Sequence, residues 1–466
     1  MAQASGRVPG DEAIGQATGR GPVLAWGLWD WGSAAFQALI LTFVFSVYLT
    51  DKVGENLPGG VSASAWLGWA LGAGGLLVAV TAPISGQWFD AAARRKFSLG
   101  VLTALTVVLM AAMFFVRDDY HYLWLGLVLL ALGTVTFELA GVPYNAMLRQ
   151  VSTPATVGRI SGFGWAMGYF GGIALLLICY VGFIAGDGDT RGVLGITTEG
   201  GLNIRLVVLL AAVWFTVFAL PLFFRVPEVP RTDADPGAAV RVSALDGATG
   251  ARSRGPLRWL RAIGASYRVL WRDICELWVT DRRTVWFLIA SAVFRDGLAG
   301  VFTFGAVLAV RVYGFSDSDV LLFGIAANVV AAIGALATGR YDDRVGPKPV
   351  IVVSLAAMIV CGLALLAVSG PALFWVFGLA LAGFVGPAQA SSRSFLARLA
   401  PPGREGQLFG LYTTTGRAVS FLAPTMFGLF VWVTDSERFG IIGLVLVLIA
   451  GLIALLPVRD SGLKNR

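Results

Sequence analysis

Six ionisable side chains lie inside stretches that are otherwise apolar, and any chemistry this chain performs is expected there. Three are carboxylates: Asp30 in WGLWDWGSAAFQ, Glu138 in TFELAG and Asp296 in VFRDGLAG. Three are guanidinium groups: Arg295, Arg393 and Arg417. A charge at the centre of an apolar span costs about 2.5–3.5 kcal/mol on insertion scales, so each calls for a partner or for water. A carboxylate in that position can take up a proton and release it. A guanidinium cannot titrate, but it can grip a carboxylate through two parallel hydrogen bonds. An arginine on one side of a cavity and an acid on the other would suit a zwitterion. The competing reading is structural: Asp30 and Asp296 pair with arginines that hold the chain together, and Arg417 neutralises Asp296 or Glu138. Gln389 and Asn145 can add hydrogen bonds to a ligand or can bridge helices. Trp26, Trp29 and Trp31 read as interfacial anchors, with Trp29 a candidate for stacking on a solute.

Other chemistries find no residues. The chain has one histidine, His121, in the short polar stretch 117–121, and three cysteines (Cys179, Cys275, Cys361) without a CxxC spacing. Neither a metal site nor a disulfide framework is implied. HExxH, GxSxG and GxxxxGK[ST] are missing, which argues against a membrane hydrolase and a nucleotide-driven pump. No cofactor is expected, and the chain is read as a non-enzyme. The glycines of GFGWAMGYFGG (Gly162, Gly164, Gly168, Gly171, Gly172) sit in an apolar run with no preceding strand, so they suggest close helix packing, not a phosphate loop.

The elements that must position these residues follow from composition. Of 466 residues, 57% are hydrophobic and 14% charged, with a mean hydropathy of +0.76. So few charges cannot cover a soluble surface. About 20 apolar residues cross a bilayer as a helix. Twelve such runs occur, the first at 23–48 and the last at 439–457, six on either side of a polar segment. The predicted organisation is a tail 1–22, a six-helix bundle 23–225, a linker 226–283, a six-helix bundle 284–458 and a tail 459–466. The N-terminal tail lacks the apolar core of a cleavable signal. Alternate loops differ in charge: one set carries only Lys52, Arg117, Arg191, Arg205, Arg311 and Arg438, while the other set and both ends carry most of the rest. The positive-inside rule then puts both termini and the linker in the cytoplasm. This topology accounts for the net charge of +7 without nucleic acid. Within the linker, 257–279 reads as an amphipathic helix on the inner leaflet.

The two halves repeat each other. GQWFDAAARRK follows the second span (Gly86, Asp90, Arg94) and GRYDDRVGPK the eighth (Gly339, Asp343, Arg344). Both are GxxxD before a basic turn, which resembles the loop signature of the major facilitator superfamily. After spans four and ten, Arg149 matches Arg398, Gly162 matches Gly410 and Gly168 matches Gly416, at offsets of 248 or 249. In that register Arg417 replaces Tyr169, so the repeat breaks at a charge. WGLWDWGSAAFQALILTFVF, GRISGFGWAMGYFGG and SRSFLARLAPPGREGQLFGLYTTTGRAVSFLAP narrow the resemblance to the vacuole-effluxer-like branch, across 23–458. The resemblance implies an all-α membrane protein of two pseudo-symmetric six-helix bundles, with spans one, four, seven and ten around a central cavity. It implies a secondary transporter: a monomer in the cell membrane that moves a small polar solute by alternating access. An amino acid coupled to protons is the first expectation, and a sugar, an amphipathic drug or a non-transporting sensor are the alternatives. Asp30 and Asp296 look like repeat mates, some 25 Å inward from Tyr48 and Tyr313 at 1.5 Å per residue. Gly86, Asp90, Arg94, Gly339, Asp343 and Arg344 are read as a cytoplasmic gate, each aspartate pairing with the basic turn or with a helix end across the half-to-half interface.

Overall fold

The computed structural model describes residues 19–58, 60–92, 95–228, 267–268, 271–272 and 274–458. Arg94, most of both tails and linker residues 229–266 lie outside the described residues. Twelve helices among the described residues are long and apolar enough to cross a membrane. In chain order they are α1 (Arg20–Val53), α2 (Ala63–Asp90), α3 (Arg95–Phe115), α4 (Tyr120–Val151), α5 (Val157–Ile184) and α6 (Glu199–Arg225). The second set comprises α7 (Arg282–Arg311), α8 (Leu322–Val345), α9 (Pro347–Ala367), α10 (Pro371–Leu399), α11 (Glu405–Thr434) and α12 (Glu437–Leu455). The expected six-plus-six count is present. Several spans run longer than the apolar runs suggest, because polar residues prolong them beyond the hydrocarbon.

Local chemistry sets the boundaries. Gly346 (φ 93°) and Gly370 (φ 86°) adopt conformations that a side chain disfavours, and each is followed by proline at the first helical position. Gly–Pro thereby ends one span and starts the next within one to three residues. Ser316 and Asp319 form a capping box ahead of α8. Two helices are irregular near the candidate residues. α1 turns π-helical over Ala35–Phe43, and α11 breaks between Val419 and Leu422. The loop between α5 and α6 carries a small hairpin, β1 (Thr190–Arg191) antiparallel to β2 (Ile196–Thr197).

Each half packs internally, α1 on α5 and α6, α7 on α12, and α9 on α10 and α12. Across the halves α2 lies against α11, α5 against α8 and α10, and α4 against α11. The end of the bundle that carries the two GxxxD loops, termed here the basic face, is closed by backbone-to-backbone contact. A Cβ on Gly410 would lie 2.5 Å from the Ala82 carbonyl of α2, and one on Gly339 would lie 2.7 Å from Arg159 Cα of α5. Only glycine permits this approach. Toward the opposite end the same helices part: a Cβ on Gly68, Gly72 or Gly75 of α2, or on Gly428 of α11, would meet nothing within 4 Å.

The tryptophan expectation is corrected here. Trp26 and Trp29 are not at an interface but buried in the N-terminal half. Trp29 stacks on Tyr144 at 4.1 Å and donates its indole N–H to Thr103 Oγ1 at 3.2 Å. Trp26 stacks on Tyr144 at 4.8 Å and donates to the Tyr144 carbonyl. Trp31 packs on Trp214. Trp29 is core and offers no ring to a solute.

Candidate functional site

Side-chain exposure along α7 marks a chamber. Residues at helical spacing on one face change from buried (Thr284, Leu288, Ser291) through half-buried Arg295 to exposed Ala299, Phe302 and Ala306. On α11, Gly410 is buried, Arg417 half-buried, and Phe421, Pro424 and Gly428 exposed. With α7 lining the central cavity, as the family resemblance implies, this chamber opens away from the basic face and Arg295 and Arg417 stand at its floor.

At that floor Arg417 of α11 pairs with Glu138 of α4, joining the two halves. Their side chains are 30% and 25% exposed. Arg295 follows a different pattern. Its guanidinium lies 3.7 Å over the Tyr412 ring, and Nη1 donates to the Tyr412 carbonyl at 3.1 Å. It makes no ion pair among the described residues. Tyr169, at the position equivalent to Arg417 in the repeat, has a buried hydroxyl with no hydrogen-bond partner among the described residues, as has the Trp165 indole N–H one turn earlier. The two rings lie 6.0 Å apart.

Asp296 is adjacent to Arg295 in sequence and points elsewhere. Its Oδ2 accepts the backbone N–H of Ala423 at 2.6 Å, where the second segment of α11 begins. That N–H is one of the donors a helix start leaves unbonded, so Asp296 secures the break in α11. The repeat-mate expectation is corrected: Asp296 stands midway along α7, and its partner is a backbone amide, whereas Asp30 lies nearer the basic face and is paired with an arginine.

Beneath the floor, Arg393 of α10 crosses into the N-terminal half. Nη1 donates to Asp30 Oδ2 and to Asn145 Oδ1, each at 3.3 Å. Nε donates to Ser161 Oγ at 3.0 Å and Nη2 to the Ser161 carbonyl at 2.7 Å. The indoles of Trp26 and Trp165 flank it at 4.9 and 5.5 Å. Four of a guanidinium's five N–H groups are thus held by the opposite half. Gly164 makes the clasp possible, since a Cβ there would lie 2.7 Å from Arg393 Nη2 and 2.8 Å from Asp30 Oδ2. Gln389, one turn above Arg393, is half-buried and makes no side-chain hydrogen bond among the described residues.

At the basic face the two GxxxD aspartates behave alike. Asp90 of α2 accepts the N–H groups of Gly406 and Gln407, at 3.0 and 2.8 Å, at the start of α11. Asp343 of α8 accepts those of Gly158 and Arg159, at 2.7 and 3.2 Å, at the start of α5. Each carboxylate meets the unbonded donors and positive dipole end of a helix in the other half. Arg344 is exposed and makes no bond to Asp343, which corrects the basic-turn alternative on that side. Of the cations at this level, Arg95 belongs to the basic turn after Asp90, and Arg149 and Arg398 are the repeat-matched pair; none is in the expected gate. Arg95 bridges Asp90 and Glu405, 2.6 Å from each. Arg149 reaches Glu405 at 3.4 Å and bonds the Ala400 carbonyl. Arg398 reaches Asp342 at 2.8 Å and Asp343 at 3.3 Å, and Ser394 donates to Asp342 at 2.6 Å. His121 is exposed in the first turn of α4 beside Asp119, far from all of these.

Residues 149–464 match the family described as vacuole effluxer Atg22 like. The chain belongs to this family. Along 438 residues this Atg22-like chain is 23% identical to an uncharacterised MFS-type transporter, YxiO, of Bacillus subtilis, an alignment covering 94% of each chain. It is 24% identical over 311 residues to autophagy-related protein 22 of Cryptococcus neoformans, covering 63% of this chain and 51% of the fungal one. It spans about half the length of such fungal relatives. The solved structure of the major facilitator proton:xylose symporter XylE superposes with a TM-score of 0.69 at 14% identity, over 97% of both chains. Family and fold are thus those of a multi-pass major facilitator transporter of small molecules, and not of an enzyme.

Proposed function

We propose that this transporter carries an amino acid or a similar zwitterion by alternating access, coupled to protons. In this reading the basic face, linker and termini are cytoplasmic, the membrane is the cell membrane, and the chamber opens outward. The observation that carries the substrate is the Glu138–Arg417 pair. Opposite charges from opposite halves meet at a wet floor, so a solute's ammonium and carboxylate can insert between them, and both protein charges stay compensated. The unpartnered Tyr169 hydroxyl and Trp165 N–H add donors for a solute oxygen. A sugar that separated the pair would offer neither charge in exchange.

Asp296 is the acid best suited to the proton. Protonating Asp30 would strand Arg393, and protonating Glu138 would strand Arg417, each at the cost of an uncompensated charge. Asp296 has only a backbone N–H as partner, which a neutral carboxyl still satisfies. Asp90 and Asp343 serve as the gate, since separating the halves at the basic face removes both carboxylates from their helix ends.

The test is flux in proteoliposomes under an imposed pH gradient, with labelled amino acids and sugars offered separately. An amino acid should accumulate against its gradient. Asp296→Asn keeps the acceptor for Ala423 and loses the titration, so it should retain solute exchange while gradient-driven accumulation disappears. Sugar uptake without amino-acid uptake would sink the substrate reading. Undiminished accumulation in Asp296→Asn would remove Asp296 from coupling.

A further inference from the structure

The floor of the chamber holds more fixed positive charge than a neutral amino acid can use. Arg417 is paired with Glu138, and Arg393 is clasped by Asp30 and two neighbours in the opposite half. Asp296 is turned onto Ala423 N–H. The span acids are thereby all engaged, and Arg295 is left with the Tyr412 ring and one carbonyl. Of its five N–H groups, one is bonded among the described residues, at the depth where the α7 face passes from buried to exposed. A Cβ on Gly416 would lie 3.2 Å from Arg295 Nη1, so this glycine leaves room for the guanidinium against α11, one residue before Arg417.

We propose that Arg295 is a second anion subsite of the chamber and that the preferred solute is an amino acid with a carboxylate side chain. This deepens the zwitterion reading and rests on it. The main-chain ammonium and carboxylate occupy Glu138 and Arg417, and the side-chain carboxylate extends along the α11 wall to Arg295. A planar guanidinium already oriented by an aromatic ring loses little freedom when it receives a carboxylate in bidentate contact. The charged groups on the elements around this subsite are Arg417 on α11 with its partner Glu138 on α4 and Asp296 on α7 itself; the neighbouring stretch of α12, Gly440–Leu455, is apolar throughout. With Asp296 protonated the floor carries the net charge of Arg295, which the extra carboxylate of such a solute balances.

The experiment is binding to the purified full-length protein, by calorimetry, of L-glutamate, L-glutamine and glutarate. L-Glutamate should bind at least tenfold more tightly than L-glutamine. In Arg295→Gln that ratio should fall to about one, and in Arg295→Lys it should stay above one, with monodispersity and thermal unfolding confirming a folded protein in both. Equal affinity for glutamate and glutamine in the unaltered protein overturns the subsite and leaves the zwitterion reading standing. A preference that survives Arg295→Gln overturns the assignment to Arg295. Glutarate binding as tightly as glutamate overturns the amino-acid class, and no binding by any of the three overturns both readings.

Discussion

Arg393→Met is expected to open the basic face. The side chain belongs to the C-terminal half, yet its guanidinium donates to Asp30, Asn145 and both oxygens of Ser161 in the other half. Methionine fills a similar volume between the two indoles but leaves the Asp30 carboxylate without its cation and removes the guanidinium's bonds to both Ser161 oxygens. Removing one partner of a buried ion pair costs about 3–5 kcal/mol, which is roughly two to nearly four decades in an equilibrium. That cost falls on the state in which the halves meet at the basic face, because once they separate water can solvate Asp30. Its 18% exposure puts the effect toward the lower end. The measurement is maleimide labelling from the basic side of a cysteine introduced at Ala390, a residue now 3% exposed, after replacement of Cys179, Cys275 and Cys361. Labelling should accelerate tenfold or more in Arg393→Met and return toward its starting rate when Asp30→Asn is added. An unchanged rate in the single variant would mean that the clasp contributes nothing to closure.

The architecture was legible because it depends on properties a sequence carries locally. Apolar length marks each span, the Gly–Pro pairs at 346–347 and 370–371 mark turns, and two GxxxD loops reveal the repeat. Partners were less legible, for physical reasons that can be named. Asp90 and Asp343 end on backbone N–H groups of α11 and α5, and every helix start offers such donors whatever its sequence. Arg95 and Arg344 both occupy basic turns, and only the packing of α2 on α11 brings Glu405 to Arg95. Trp29 at the start of an apolar run has the composition of an interfacial anchor; what buries it is the ring of Tyr144 more than a hundred residues later. One further signal lies in the repeat. In the repeat register Asn145 corresponds to Arg393, at an offset of 248, so a charge stands where the other half has an amide. The structure joins those two residues directly, across the pseudo-symmetry axis.

Arg417→Gln should abolish transport while leaving the fold intact, and a double variant separates binding from bracing. Both members of the Glu138–Arg417 pair are about a quarter to a third exposed. Ion pairs screened by water contribute about 0–1 kcal/mol, so the single variant should unfold at nearly the same temperature and remain monodisperse. Transport is another matter. A guanidinium that receives a carboxylate makes charge-assisted hydrogen bonds about twice as strong as neutral ones, and glutamine can offer one weak donor in place of the fork. A loss of at least a hundredfold in proteoliposome uptake is expected. Bracing alone would predict the same loss, because Glu138 would be stranded. Glu138→Gln combined with Arg417→Gln resolves the ambiguity, since it removes both charges and leaves a neutral amide pair that can still hold α4 to α11. If the pair only braces the halves, uptake in the double variant recovers. If the pair receives the solute's ammonium and carboxylate, the double variant stays as inactive as the single one although nothing charged is left unpaired, and that persistent loss is the outcome the chamber geometry supports.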